Sequence, residues 1–347
     1  MRGTVFIGVV LLAGATSVGQ PAQPEGATPE LLQELKTYPH KIVYESHRDG
    51  NWEIYLTSAD GSNPVNLTKS PDVDELYPKA SPDGAQICFC VDEGKGPELT
   101  RNLYLMNIDG SGRRKIADGA REPCWSPDGK CIAFVKNEFR RFDIQDFATK
   151  GLFIYDLSAG RVRQHPNSRI LHLWCLTWSP DDKWFIAAAH GGMGYSHAII
   201  ALEAAGDKTY DLHCLGCRPD VSPDGKKILW NHADCAIGVA DLDLSGPSPK
   251  TSGHHDVVES KDPLYTYQAD WSPDGRYIAF THGPKLQGKP RRGLADGWAP
   301  AITGVEAPGW DICVADPRQK NRWVAITLDG ASNKEPDWVS VRAKPRD

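Results

Sequence analysis

Apolar and polar residues alternate along this chain in short runs, and most runs end at a turn signal. Trp52-Glu-Ile-Tyr-Leu56 leads to Ser58-Ala-Asp-Gly61, and Asn102-Leu-Tyr-Leu-Met106 leads to Asn107-Ile-Asp-Gly110. Leu152-Phe-Ile-Tyr-Asp156 leads in the same way to Ser158-Ala-Gly160. A polarity period of two marks a strand, and Asp-Gly at its end marks a hairpin. Apolar runs such as Cys131-Ile-Ala-Phe-Val135, Ile228-Leu-Trp230 and Tyr277-Ile-Ala-Phe280 read as further strands. The pattern predicts an all-β chain.

The turns are not independent of one another. Ser-Pro-Asp-Gly begins at Ser81, Ser126, Ser222 and Ser272, with Ser-Pro-Asp-Asp at Ser179, so the motif recurs every 43 to 53 residues. That period suits one propeller blade of four strands. Proline presets φ for the first central position of the turn, aspartate bonds to its own backbone, and glycine accepts a positive φ. Each copy follows a short extended stretch and precedes an apolar strand. Segments such as Pro64-Val-Asn-Leu-Thr68 and Arg114-Lys-Ile-Ala117 supply outer strands.

The two ends complete each other. The first unit, Lys41 to Thr68, lacks a leading strand, and Glu335-Pro-Asp-Trp-Val-Ser340 resembles the missing one. The expected fold is a six-bladed β-propeller of four-stranded antiparallel blades, closed by pairing of N- and C-terminal strands. Closure removes the exposed edges of an open sheet. An open solenoid is the competing arrangement.

These units are similar to the propeller repeats of the TolB family. The resemblance rests on Tyr44-Glu-Ser-His-Arg-Asp-Gly-Asn-Trp-Glu-Ile-Tyr55 with Ala59-Asp-Gly61, and on Ala269-Asp-Trp-Ser-Pro-Asp-Gly-Arg-Tyr-Ile-Ala-Phe280. It extends over roughly 41 to 340. It implies an extracytoplasmic propeller and is silent on any reaction. TolB carries an α/β domain ahead of its propeller, through which it reaches an inner-membrane partner. The expected layout here lacks that domain: a signal peptide over 1–20, a linker with a short helix over 21–40, and the propeller over 41–343.

The start of the chain supports export. Arg2 precedes the apolar run Val5 to Ala15, and small residues follow at Ala15, Ser17 and Gly19. This is the order of a secretory signal, and the run is too short to span a bilayer. A periplasmic or secreted location is expected, with no transmembrane segment. Composition adds one exclusion. The 347 residues carry a net charge of −6, which gives no electrostatic support to nucleic-acid binding. The chain is expected to act as a monomer.

Candidate chemistry sits at the strand ends. His47, His190, His232 and His282 close the second strands of units one, four, five and six, so they share one face of the disc. Imidazole is a common zinc ligand, so these four could hold a divalent metal or a ligand. No other cofactor is expected. Cys214 and Cys217, with Cys235 one hairpin later, form a Cys-x-x-Cys arrangement that could form a disulfide or bind metal. Two insertions leave the same face. One carries Phe139 and Arg140; the other carries Arg291, Arg292 and Trp298. Arginine and aromatic residues suit a partner surface. The preferred reading is an exported, non-catalytic propeller binding a protein or carbohydrate through its loop-rich face. A metal-dependent polysaccharide lyase or hydrolase is the alternative.

Overall fold

The computed structural model describes residues 22–140, 148–261, 263–285 and 299–341. Among these, the strands form six four-stranded antiparallel sheets. Listed from the inner strand outward, blade one is Asn333–Val339, Lys41–Ser46, Glu53–Ser58 and Val65–Asn66. Its inner strand comes from the C-terminal region and pairs with Lys41–Ser46, so the ring is closed as the sequence predicts. The inner strands of blades two to six are Asp74–Ala80, Ala120–Trp125, Leu173–Trp178, Cys217–Val221 and Leu264–Trp271. Each contacts the next around the channel, and Asn333–Val339 contacts both Leu264–Trp271 and Asp74–Ala80. Apolar side chains fill the spaces between neighbouring blades. One such core joins Leu152 and Ile154 of blade three to Phe185 and Ile200 of blade four.

The repeated tetrapeptide builds the same turn each time. Ser81 Oγ donates to Asp83 Oδ1 at 2.6 Å and accepts the Gln86 N–H at 2.9 Å. The corresponding serine–aspartate distances are 2.8 Å at Ser126, 2.6 Å at Ser179, 2.7 Å at Ser222 and 2.9 Å at Ser272. Gly84 takes φ of 71°, a conformation that glycine adopts without steric cost. These turns lie at one face of the disc. The second-strand ends, with the histidines, lie at the other.

A second repeat runs along the inner strands. Tyr77, Glu122, Cys175, Arg218, Gln268 and Glu335 occupy equivalent places in the six inner strands, and each has a positive φ, from 48° at Glu335 to 59° at Gln268. Strand register slips at each of these points, the mark of a β-bulge. A non-glycine residue held there costs about 1–3 kcal/mol and persists only when its surroundings enforce it. Here the bulge turns backbone N–H groups towards the preceding blade. Tyr77 N donates to Glu45 Oε2 at 3.0 Å, Cys175 N to Glu122 Oε2 at 3.0 Å, and Gln268 N to Asn231 Oδ1 at 3.1 Å. The six side chains meet at the channel.

Two further segments pack on this frame. The helix Leu31–Leu35 buries Leu31 and Leu35 against Tyr277, Val314 and Val324. Just before it, Gln23 Nε2 donates to Ala325 O at 2.9 Å and Gln23 Oε1 accepts Ala325 N–H at 3.0 Å. The outer edge of blade six is thereby covered, which protects it from pairing with another chain. At the loop-rich face, 299–309 folds across the channel mouth. Buried Lys334 donates to the carbonyls of Pro300, Ile302 and Val305, and Arg218 Nη2 reaches Ala301 O at 3.2 Å. Part of the blade-six insertion is therefore a plug. No helix among the described residues is long and apolar enough to cross a membrane.

Candidate functional site

A cavity of about 450 Å³ opens beside that plug at the loop-rich mouth. The bulge ring supplies Tyr77, Glu122 and Arg218 to its wall. Blade four adds Trp174, His190 and His197, and blade five adds Cys217 and the hairpin His232 to Asp234. Tyr267 of blade six and Ala301 to Thr303 of the plug complete it. Sites of this volume with mixed aromatic and polar walls are where small molecules or single groups of larger partners are held.

Polar groups in the wall are largely engaged with the protein. Arg218 Nη1 lies 2.8 Å from Glu335 Oε1, which also accepts Gln268 Nε2 at 2.8 Å and the Thr303 hydroxyl. Glu122 accepts the Cys175 N–H, and Asp234 accepts the Tyr267 hydroxyl. His197 Nε2 lies 2.7 Å from Gly216 O, and its ring meets that of His190 edge-on at 5.0 Å. Burial and the neighbouring His197 and His172 imidazoles hold His190 below the usual imidazole range. Burial also pushes the Cys217 thiol up to about 11, so it stays protonated at neutral pH.

The structure separates the four predicted histidines. His190 and His232 both line the cavity. His47 packs edge-on against Trp52 at 5.3 Å, with Nδ1 3.9 Å from Glu306. His282 is 4% exposed and sits under Trp323, with Nδ1 3.1 Å from Ser260 Oγ and 3.2 Å from Thr266 Oγ1. Equivalent register delivers all four to the same face, but neighbouring segments, such as the outer strand that carries Trp323, then decide what covers the ring. Phe139 and Arg140 are exposed, whereas Arg291, Arg292 and Trp298 lie outside the described residues. Cys214, Cys217 and Cys235 carry free thiols.

Residues not singled out from sequence contribute most of the wall. Trp174, Arg218 and Tyr267 arrive through the inner-strand bulges or just beside them. A signal existed: proline follows four of the six bulge residues, at Pro78, Pro123, Pro219 and Pro336. A second missed feature adjoins the cavity. His232 Nε2 lies 2.7 Å from Asp256 Oδ1, and His254 Nε2 lies 3.4 Å from the same oxygen. These three side chains are close enough to one another to hold a metal ion.

Comparisons with known proteins agree with this architecture. No protein-family model matches the chain. It is 43% identical over 63 residues to dipeptidyl-peptidase 5 of Porphyromonas gingivalis, covering 17% of this chain and 9% of that protein. It is 35% identical over 97 residues to a TolB homologue of Chlorobaculum tepidum, covering 28% of this chain and 21% of that protein. The matched segments thus span less than a quarter of either relative. A solved structure described as a putative TolB from Agrobacterium tumefaciens superposes with a TM-score of 0.55 at 16% identity, covering 85% of this chain and 91% of that one. The chain is a six-bladed β-propeller with a distant and partial likeness to TolB-family proteins.

Proposed function

We propose that this protein is exported and works as a non-catalytic monomer, binding a protein or carbohydrate partner through its loop-rich face. The cavity beside the plug is the seat for one protruding group of that partner, such as a sugar ring or an aromatic side chain. The observation that carries this reading is the composition of the wall. Trp174 and Tyr267 offer flat aromatic faces, Arg121 and the imidazoles offer polar contacts, and one side is open. Aromatic surfaces with a few fixed polar groups recognise sugars and peptides without needing to react with them.

A lyase or hydrolase would need a base free to take a proton from the substrate. The described carboxylates of the wall are otherwise occupied: Glu122 holds the Cys175 N–H and Asp234 holds the Tyr267 hydroxyl. The catalytic alternative would therefore rest on the wall imidazoles, His190 and His232. The N-terminal signal pattern and the partial TolB likeness support a periplasmic or secreted location. The net charge of −6 argues against a nucleic-acid partner.

The test is a binding screen of the mature protein on glycan and peptide arrays, repeated with Ala233→Trp. Ala233 is exposed in the cavity wall, so tryptophan there fills the mouth without entering a core. A ligand retained by wild type and lost by the variant supports the proposal. Equal retention by both proteins refutes it.

A further inference from the structure

We propose that His232, His254 and Asp256 form a binding site for a divalent transition metal of the zinc class. The inference stands on three neighbouring strands of blade five and does not depend on the cavity being a binding site.

Strand geometry brings these residues together. Side chains two apart on a strand share a face. Register shifts at His232 and beside His254 interrupt that alternation, yet the rings of Trp230 and His232 both meet His254 on one face, at 4.8 and 4.9 Å, and Asp256 joins them there. Trp230 and His232 lie on Lys227–Ala233, and His254 and Asp256 on Lys250–Glu259. Between them runs Ala236–Asp243, where Gly238 pairs directly with Trp230 on one side and Asp256 on the other. Glycine in a strand interior weakens the strand and often marks a close approach. Here the approach is by the two imidazoles. A Cβ on Gly238 would lie 2.5 Å from His254 Nε2 and 3.4 Å from His232 Cδ2. The missing side chain is the room the histidines occupy.

The donor atoms already converge. His232 Nε2 and Asp256 Oδ1 lie 2.7 Å apart, an ion-pair distance, without the alignment of a hydrogen bond. All three donor atoms lie within 4.8 Å of one another, and an ion enters among them when the His232–Asp256 contact opens to the roughly 3.3 Å that separates tetrahedral ligands held at about 2.0 Å. Two imidazole nitrogens with one carboxylate oxygen make a donor set that zinc accepts, and three protein ligands leave a fourth position open. The Trp230 ring, 4.8 Å from that of His254, supports the more exposed of the two imidazoles. His232 also lines the cavity wall, so the ion would sit at the cavity margin.

The test uses mature, untagged, fully reduced and metal-free protein titrated with cobalt(II), followed by displacement with zinc. The expected result is one equivalent of cobalt with visible ligand-field bands and no thiolate charge-transfer band. His254→Ala and Asp256→Asn should each weaken binding by at least about 100-fold, since even changes outside the ligand shell cost 10–100-fold. Gly238→Val should weaken it similarly by pushing His254 aside, and circular dichroism should stay that of wild type in His254→Ala, whose side chain is nearly half exposed. No saturable site, a thiolate band, or binding unchanged in both His254→Ala and Asp256→Asn would overturn the proposal. Failure here leaves the array result with Ala233→Trp untouched.

Discussion

Lys334 Nζ donates to the carbonyl oxygen of Ile302 at 3.1 Å, which ties the blade-six insertion to the strand that closes the ring. The same ammonium also meets the Pro300 and Val305 carbonyls, and opposite it in the strand pair lies buried Glu45. Burial drives Lys334 below the usual ammonium range and Glu45 above the usual carboxylate range. The plug is therefore held by a buried amine on three fixed dipoles. Removing it leaves those carbonyls without their donor.

Lys334→Met should accordingly cost at least about 1–3 kcal/mol, the range for leaving a buried acceptor without its donor. The chain between 299 and 309 should also become a new site of protease cleavage. Thermal unfolding and limited proteolysis followed by mass spectrometry check both outcomes. An unchanged cleavage map would mean that the plug is held by other contacts.

Arg218 and Glu335 are a second coupled pair, 2.8 Å apart and both nearly buried. Arg218→Met strands Glu335, and Glu335→Gln strands Arg218. The double variant should recover part of the summed loss, with a coupling of about 0.5–3 kcal/mol in a double-mutant cycle. Additive losses in denaturant unfolding would show that the pair contributes independently.

The bulge ring makes a prediction with a distinctive sign. At Cys175, whose φ is 52°, glycine should be better tolerated than alanine by about 1 kcal/mol, because only glycine reaches this region freely. Valine should be the worst of the three. Chemical unfolding of Cys175→Gly, Cys175→Ala and Cys175→Val gives the order directly.

Acid should expose the buried state of His282. Burial pulls this imidazole down to about 4, so the unfolded chain binds its proton more readily than the folded one. The contribution is fully present above about pH 6.5 and is lost as pH falls towards 4, up to about 3 kcal/mol. Burial pushes Asp311 and Glu75 up to about 7, which acts in the opposite direction over the same window. Comparison with His282→Asn isolates the histidine. Wild type should lose stability relative to the variant between pH 6.5 and 4, and parallel curves would contradict the assignment.

The fold was legible because its signals are local. Each Ser-Pro-Asp-Gly turn is closed by bonds between residues two to five apart, so the motif and its geometry are nearly the same object. Ring closure was legible because Glu335-Pro-Asp-Trp338 repeats an inner-strand pattern at the wrong end of the chain. The site was legible only in part. Strand register brought His190 and His232 to one cavity, but what covers His282 is Trp323, forty-one residues on. The plug depends on contacts between Lys334 and carbonyls some thirty residues earlier, which no local pattern encodes. His254 and Asp256 did carry a local signal, a strand-period pair, but its partner His232 comes from a strand two positions away in the sheet.

Hydrogen exchange of the mature protein with and without the ligand selected on the arrays tests the central claim most directly. Seating in the cavity predicts new protection around Trp174, His190 to His197 and His232 to Asp234, with the Ser-Pro-Asp-Gly turns unchanged. Protection confined to those turns, at the opposite face, would contradict it.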